Sequence, residues 1–175
     1  MVLSPDAADV PSADLVQALY AELRTVASRE RWKLGGAGTL QTTALINETW
    51  LKLYRVESWN DRQHFLRAAA VAMRQVLIDA ARERYAAKRG GGLANVTLSA
   101  AERVADGSDE SLLQMEEALA RLQALDPRLA QVVECRFFAG FSEVETAEAL
   151  DISERTVRRD WLKAKAWLAV ELQAN

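Results

Sequence analysis

The side chains of this chain that could do chemistry are cations and aromatics rather than nucleophiles. Between Arg155 and Lys165 five basic residues (Arg155, Arg158, Arg159, Lys163 and Lys165) stand against one acid, Asp160. On a helix, with Thr156 and Trp161 beside them, they offer hydrogen bonds to base edges and charge to phosphates. A second basic run lies between 62 and 89, with seven Lys/Arg against Asp79 and Glu83. Within it Arg67, Arg74, Arg82 and Arg89 recur at spacings of 7, 8 and 7. That spacing puts them on one broad helix face, opposite much of the apolar stripe and shared with Tyr85. Trp59, Asn60 and His64 cluster at its head. Cations interleaved with aromatics suit a melted DNA strand, where bases stack and phosphates pair. The same pattern also fits a solvated helix face with Trp59 as a core plug, and the residues alone leave both readings open.

The inventory speaks against enzymatic work. His64 is the only histidine and Cys135 the only cysteine, so neither an internal disulfide nor a multi-cysteine zinc site can form. Cys135 sits in an apolar stretch and reads as core. Gly35-Gly36-Ala37-Gly38 is not followed by Gly-Lys-Ser/Thr and reads as a turn rather than a phosphate loop. We therefore expect no catalytic residue, metal, cofactor or small-molecule substrate. The net charge of -3 places any DNA contact in local patches rather than in the chain as a whole. A basic-then-apolar leader is not visible, and no run approaches the ~18 apolar residues of a membrane span. The cytoplasm is the expected compartment.

Hydrophobic period 3.6 recurs throughout, and no strand-like alternation or internal repeat appears. Ser12 can cap a helix with Leu15, Leu19, Leu23 and Val26 on one face, ending near Gly35. A second helix is expected from about Thr42 to Arg55. A third, after Trp59-Asn60-Asp61, should reach Arg89, with Phe65, Ala69, Met73, Val76, Leu77 and Ala80 as its buried stripe. Residues 90–111, rich in Gly, Asn, Ser and Asp, read as a flexible linker. A helix should follow from Leu112 to Leu125. Asp126-Pro127 then signals a cap and first helical position, and Gly140 the end of that helix. The fold class is all-α, with two small helical domains: 12–89, and 112–173 after the linker.

The C-terminal domain carries a helix-turn-helix pattern. Ser142 with Glu145 three residues on forms a capping box for a short helix over about 143–150. Ala147 supplies a small residue where a second helix crosses. Leu150 and Ile152 bracket the turn, Ser153 caps the last helix, and Val157 and Leu162 pack back. Arg155, Thr156, Arg158, Arg159, Trp161 and Lys163 are left as the exposed face.

Taken together, the chain resembles the extracytoplasmic-function (ECF) sigma factors, two-domain initiation subunits of bacterial RNA polymerase. Leu125-Asp-Pro-Arg-Leu-Ala-Gln-Val-Val-Glu, Phe141-Ser-Glu-Val-Glu-Thr-Ala-Glu-Ala-Leu and Ser153-Glu-Arg-Thr-Val-Arg-Arg-Asp-Trp-Leu-Lys-Ala are similar to the fourth sigma domain, which reads the −35 promoter element. The stretch from Arg62 to Arg82, closing with Lys88-Arg-Gly-Gly-Gly, is similar to the second sigma domain of one ECF subgroup. The resemblance implies −35 contacts from Arg155, Thr156, Arg158, Arg159, Trp161 and Lys163. It implies −10 contacts from Trp59, Asn60, His64, Arg67, Arg74 and Arg82. It also implies core RNA polymerase, through its β′ coiled coil and β flap, and promoter DNA as partners, with an anti-sigma protein as a further one.

One departure stands out. The family usually carries an acidic Asp-Ala-Glu-Asp cluster where the chain docks on β′. Here those positions are Gln41, Thr42, Thr43 and Ala44, followed by Leu45, Asn47 and Glu48 as the expected docking residues. Lost charge complementarity should slow and weaken docking. Phosphorylation of Thr42 or Thr43 would restore about −1.5 to −2 charge at each modified site, with a Ser/Thr protein kinase as activator. The competing expectation is that Thr42 merely caps a helix. The alternative function is a conventional dimeric helix-turn-helix regulator, which would need a dimerisation or sensing domain.

Overall fold

The computed structural model describes residues 10–11, 47–53, 55, 58–89 and 106–173. The expected helix from Ser12, the Gly35–Gly38 turn and residues 41–46 lie outside them. Helix α1 is seen over 47–53, inside the helix expected from Thr42 to Arg55. The rest is α2 (Arg62–Arg89), α3 (Asp106–Leu125), α4 (Pro127–Val133), α5 (Glu143–Leu150) and α6 (Glu154–Gln173). The molecule is all-α in class. One small addition escaped the sequence pattern: Val10–Pro11 (β1) and Ser58–Trp59 (β2) form a two-residue antiparallel pair. Pairing this short has no alternation to read.

α2 runs 28 residues without Gly or Pro, which leaves its backbone free to propagate. Its start is local chemistry. The Asp61 carboxylate accepts the backbone N–H of His64 at 2.7 Å, satisfying one of the first-turn donors that lack a helical partner. α4 starts the same way, with Asp126 accepting from Arg128 and Leu129 and Pro127 at the first position. α4 then widens into a π-helical turn over Glu134–Phe138, closed by Ala139 N–H donating to the Glu134 carbonyl at 3.0 Å. Gly140, at φ 70°, ends the run where a Cβ would clash.

One boundary differs from expectation. Residues 106–111, assigned to the linker, are helical, so α3 starts six residues before Leu112. Asp109 explains it: the carboxylate is 2 % exposed and held by the Arg84 guanidinium of α2 at 2.6 Å. This partner, 25 positions away, is invisible to a local reading.

The packing joins the two halves. α2 supplies Phe65, Leu66, Ala69, Ala70 and Met73 to one apolar cluster, where they meet Leu53 and Trp59 on one side and Cys135, Ala139, Phe141 and Ala149 on the other. Further along, Ile78 and Ala81 enter a second cluster with Leu112, Leu119, Leu122, Val133, Phe138 and Leu168. The alanines of α2 let neighbouring helices approach closely, and the large side chains fill the gaps. Truncating a fully buried aromatic removes its transfer free energy and leaves a cavity. Phe65→Ala should lower the unfolding free energy by roughly 3–5 kcal/mol, read as a reduced midpoint in urea. Val144→Ala, at an exposed position, should leave it nearly unchanged.

Candidate nucleic-acid interface

The helix-turn-helix is built from local caps and one left-handed turn. Ser142 Oγ accepts the Glu145 N–H at 3.2 Å, and Glu145 Oε2 accepts the Ser142 N–H at 2.6 Å, giving the reciprocal capping box. α5 ends at Asp151, whose φ of 53° turns the chain, and the Ile152 N–H donates back to the Ala147 carbonyl at 3.1 Å. Ser153 Oγ then accepts the Thr156 N–H at 3.2 Å and starts α6. Thr146 and Ala149 are the fully buried positions of α5, while Ala147 is only half-buried.

On α6 the buried side is Val157, Asp160, Ala164 and Leu168, at spacings of 3, 4 and 4. Leu162, expected to pack inward, lies off that stripe and is 63 % exposed. The opposite side presents Arg155, Arg158, Arg159, Leu162 and Lys163, all exposed. Arg155 and Lys163 make no ion pair among the described residues. Arg158 donates to Glu143 of α5 at 2.7 Å, tying the two helices of the motif together. Arg159 donates to Asp160 at 3.1 Å. Thr156 is half-buried beside the cap it serves.

Trp161, expected on the exposed face, is half-buried against the second apolar cluster. The Arg136 guanidinium and the Lys165 ammonium lie 5.7 and 5.6 Å from its ring centre. Arg136 also donates to the Phe141 carbonyl at 2.6 Å, fastening the π-helical turn to the start of the motif.

Asp160 is the residue whose role the sequence concealed. It looked like one acid diluting a basic run. Its side chain is fully buried, and it accepts from Arg128 of α4 at 2.7 Å as well as from Arg159. A carboxylate taken out of water is tolerable only when paired and hydrogen-bonded in this way. It fixes α6 to α4 and so sets the angle at which the basic face is offered. The signal was its register, three residues after Val157 and four before Ala164.

The α2 face is organised differently from its sequence pattern. Arg67 and Arg82 are exposed, and Arg82 pairs with Asp79 at 3.7 Å. Arg74 does not point to solvent with them. It turns toward the C-terminal half, where its guanidinium donates to both Glu116 oxygens at 2.8 and 2.7 Å and to Glu134 at 2.9 Å. The hydrogen bonds that Arg74 donates to Glu116, opposed in part by burial, raise the pKa of its guanidinium well above the ordinary arginine value. Trp59 fills the core plug role, 2 % exposed and edge-on to Phe65 and His64 at 5.4 and 5.1 Å. Asn60 and His64 are exposed beside it. Among the expected docking residues Asn47 and Glu48 are exposed on α1; Leu45, Thr42 and Thr43 lie outside the described residues.

A cavity of about 440 Å³ opens between α2 and the C-terminal half, lined by His64, Arg67, Gln123, Gln131, Glu134 and Cys135 among others. Cys135 is 2 % exposed. Burial, reinforced by neighbouring Glu134 and opposed by Arg67, pushes its thiol up to about 12. It is a small apolar core group rather than a nucleophile.

A family model described as ECF sigma factor matches residues 4–174 of the 175. The chain belongs to the ECF sigma factor family. No curated protein and no solved structure matches it significantly. This ECF sigma factor thus has its role in transcription initiation, in a family of transcription factors rather than enzymes. No described helix is long and apolar enough to cross a membrane.

Two expectations follow. Removing the buried acceptor with Asp160→Ala should lower stability by about 2–3 kcal/mol, seen as a lower urea midpoint. Native Cys135 should react with iodoacetamide at pH 8 about a hundredfold more slowly than in denaturant, because burial both hides it and keeps the thiolate rare. With its folded value raised above the unfolded one, the thiol's contribution to stability is complete below pH 9 and declines as pH climbs toward 12.

Proposed function

We propose that this ECF sigma factor docks on core RNA polymerase and directs it to promoters through two DNA contacts. The α6 face of Arg155, Arg158, Arg159 and Lys163 enters the major groove of the −35 element, with Thr156 at its capped start. The α2 region, with Asn60, His64, Arg67, Arg74 and Arg82 near or along it, opens and holds the −10 strand. The observation that carries this reading is the exposed basic side of a capped helix inside a chain matched end to end by the family. The positive end of α6 and its cations complement phosphates, while its rigid attachment through Asp160 gives it a defined angle. Work on polymerase and promoter DNA places the protein in the cytoplasm. An anti-sigma protein is a natural antagonist.

Docking uses Leu45, Asn47 and Glu48, and phosphorylation of Thr42 or Thr43 by a Ser/Thr kinase supplies the negative charge that Gln41, Thr42, Thr43 and Ala44 lack. Support comes from the composition of these four positions and from the electrostatics of complementary surfaces, where added opposite charge raises association rate and affinity.

The decisive experiment is transcription by core polymerase on a library of genomic fragments, with wild type, Thr43→Glu, Thr42→Glu and Thr43→Ala. The acidic variants should bind core about tenfold more tightly than the unmodified chain and initiate at shared start sites; Thr43→Ala should not. Unmodified wild type binding as strongly as the acidic forms would remove the kinase from the account. Failure of every form to support promoter-specific initiation would remove the sigma reading and favour a dimeric regulator. Replacing Arg155 or Lys163 by Ala should also flatten the plot of log affinity against log salt by about 0.9 for each cation removed.

A further inference from the structure

We infer that Glu143 and Glu154 are positioning residues that hold Arg158 end-on to a base, so that Arg158 reads one guanine of the −35 element rather than a phosphate. The inference rests on the sigma reading above and deepens it. Arg158 is the fifth residue of α6, within the first two turns that lie nearest base edges when such a helix enters the major groove. Its Nε donates to Glu143 Oε2 of α5 at 2.7 Å. Its Nη2 donates to Glu154 Oε2, one turn back on α6, at 3.5 Å. Nε and Nη2 form one side edge of the planar guanidinium. Two carboxylates, one from each helix of the motif, thus occupy a single edge.

A guanidinium carries five N–H donors in a fixed fork. The two carboxylates use one on Nε and one on Nη2, and Nη1 makes no hydrogen bond among the described residues. The end of the fork, with one N–H from Nη1 and one from Nη2, therefore keeps two parallel donors. The side chain is 58 % exposed, which leaves that end accessible. Two parallel donors fit two adjacent acceptors. In the major groove only guanine offers them, as O6 and N7. Adenine sets a donor beside its N7, thymine sets a methyl beside its O4, and cytosine shows a donor.

The carboxylates also oppose the competing contact. A phosphate bound along the engaged edge would lie against Glu143 and Glu154, two like charges that disfavour it. Stability is not what these pairs supply. Their partners are exposed, and exposed pairs contribute little to folding. Each helix is already fastened by its own buried residues, Thr146 and Ala149 on α5 and Val157, Asp160, Ala164 and Leu168 on α6. What the pairs restrict is the rotamer freedom of a long side chain, an ordering that would otherwise have to accompany binding.

Two measurements separate this inference from the sigma reading. In the first, a promoter recovered by the transcription experiment above is remade with each −35 guanine replaced in turn by 7-deazaguanine, which lacks the N7 acceptor. Bound to core polymerase, the wild-type chain should lose about tenfold in affinity at one of these guanines. Arg158→Ala and Arg158→Lys should show no loss at that position. Glu143→Ala should lose most of the discrimination, whereas Glu143→Gln, which keeps an acceptor, should retain it. A merely electrostatic or structural Glu143 would instead shift affinity equally on every duplex. A wild-type chain indifferent to all of these replacements, or Glu143→Ala discriminating as wild type does, would overturn the inference. Failure to recover any promoter would count against the sigma reading and leave the second measurement to decide the positioning. That measurement is nitrogen-15 magnetic resonance of the isolated chain. The Arg158 Nε–H should exchange with water at least about threefold more slowly than that of Arg155, which makes no ion pair among the described residues. Glu143→Ala should bring the two rates together with an unchanged helical circular dichroism spectrum. Equal rates in the wild type would overturn the positioning, whatever the protein does with polymerase.

Discussion

The Arg74 guanidinium, clasped by Glu116 and Glu134, is the interaction on which the arrangement of this molecule turns. A half-buried arginine must have its donors satisfied, and two carboxylates do so from two different elements of the C-terminal half. Apolar packing on either side of this clasp excludes water and strengthens it. The clasp in turn selects which face of α2 meets α3 and the π-helical turn. With that register chosen, Phe65, Ala69 and Met73 meet Cys135 and Phe141, and Ile78 and Ala81 meet Leu122 and Phe138. Non-directional burial supplies most of the driving force. The ion pairs supply the alignment.

The same logic holds within the C-terminal half. Arg128 of α4 ties the last helix to α4 through the buried Asp160, which also accepts from neighbouring Arg159, and Arg158 to Glu143 ties the last helix to α5. The cations proposed to face DNA are therefore partly engaged within the protein. Arg155 and Lys163 make no ion pair among the described residues, whereas Arg158 would have to exchange Glu143 for a phosphate to meet the DNA backbone in the proposed contact. A recognition surface with pre-engaged arginines gains affinity less from raw charge than from geometry, and it resists nonspecific binding in a chain of net negative charge.

Features governed by neighbours in the chain could be read from sequence; those governed by distant partners could not. Asp126-Pro127, the Ser142–Glu145 box and the Ser153 cap are chemistry within three residues, and all three stand where the pattern placed them. α2 spans Arg62 to Arg89 as expected because its stripe is long and periodic. The first turns of α3 were missed because Gly107 and Ser108 favour a linker locally, while the Arg84–Asp109 pair overrides that preference from another element. Arg74 was assigned to a solvent face from spacing with Arg67 and Arg82; a helix packed on several sides has no single solvent face. Leu162 and Trp161 exchanged their expected environments because the stripe on α6 is set by Val157, Asp160 and Ala164, one of them a carboxylate that no hydrophobic pattern counts. The family resemblance, by contrast, was legible over nearly the whole chain, because it lies in ordered motifs rather than in packing.

The central claim is that carboxylates of the C-terminal half fix the register of α2 against it. The most direct measurement is pulsed electron paramagnetic resonance between spin labels at Gln75→Cys on α2 and Ala169→Cys on α6, in a Cys135→Ala background. Both positions are exposed on rigid helices. The chain should give one narrow short distance, and Glu116→Gln/Glu134→Gln should broaden it markedly. A distance already long and broad in the wild type, or one equally narrow in the double variant, would contradict the account.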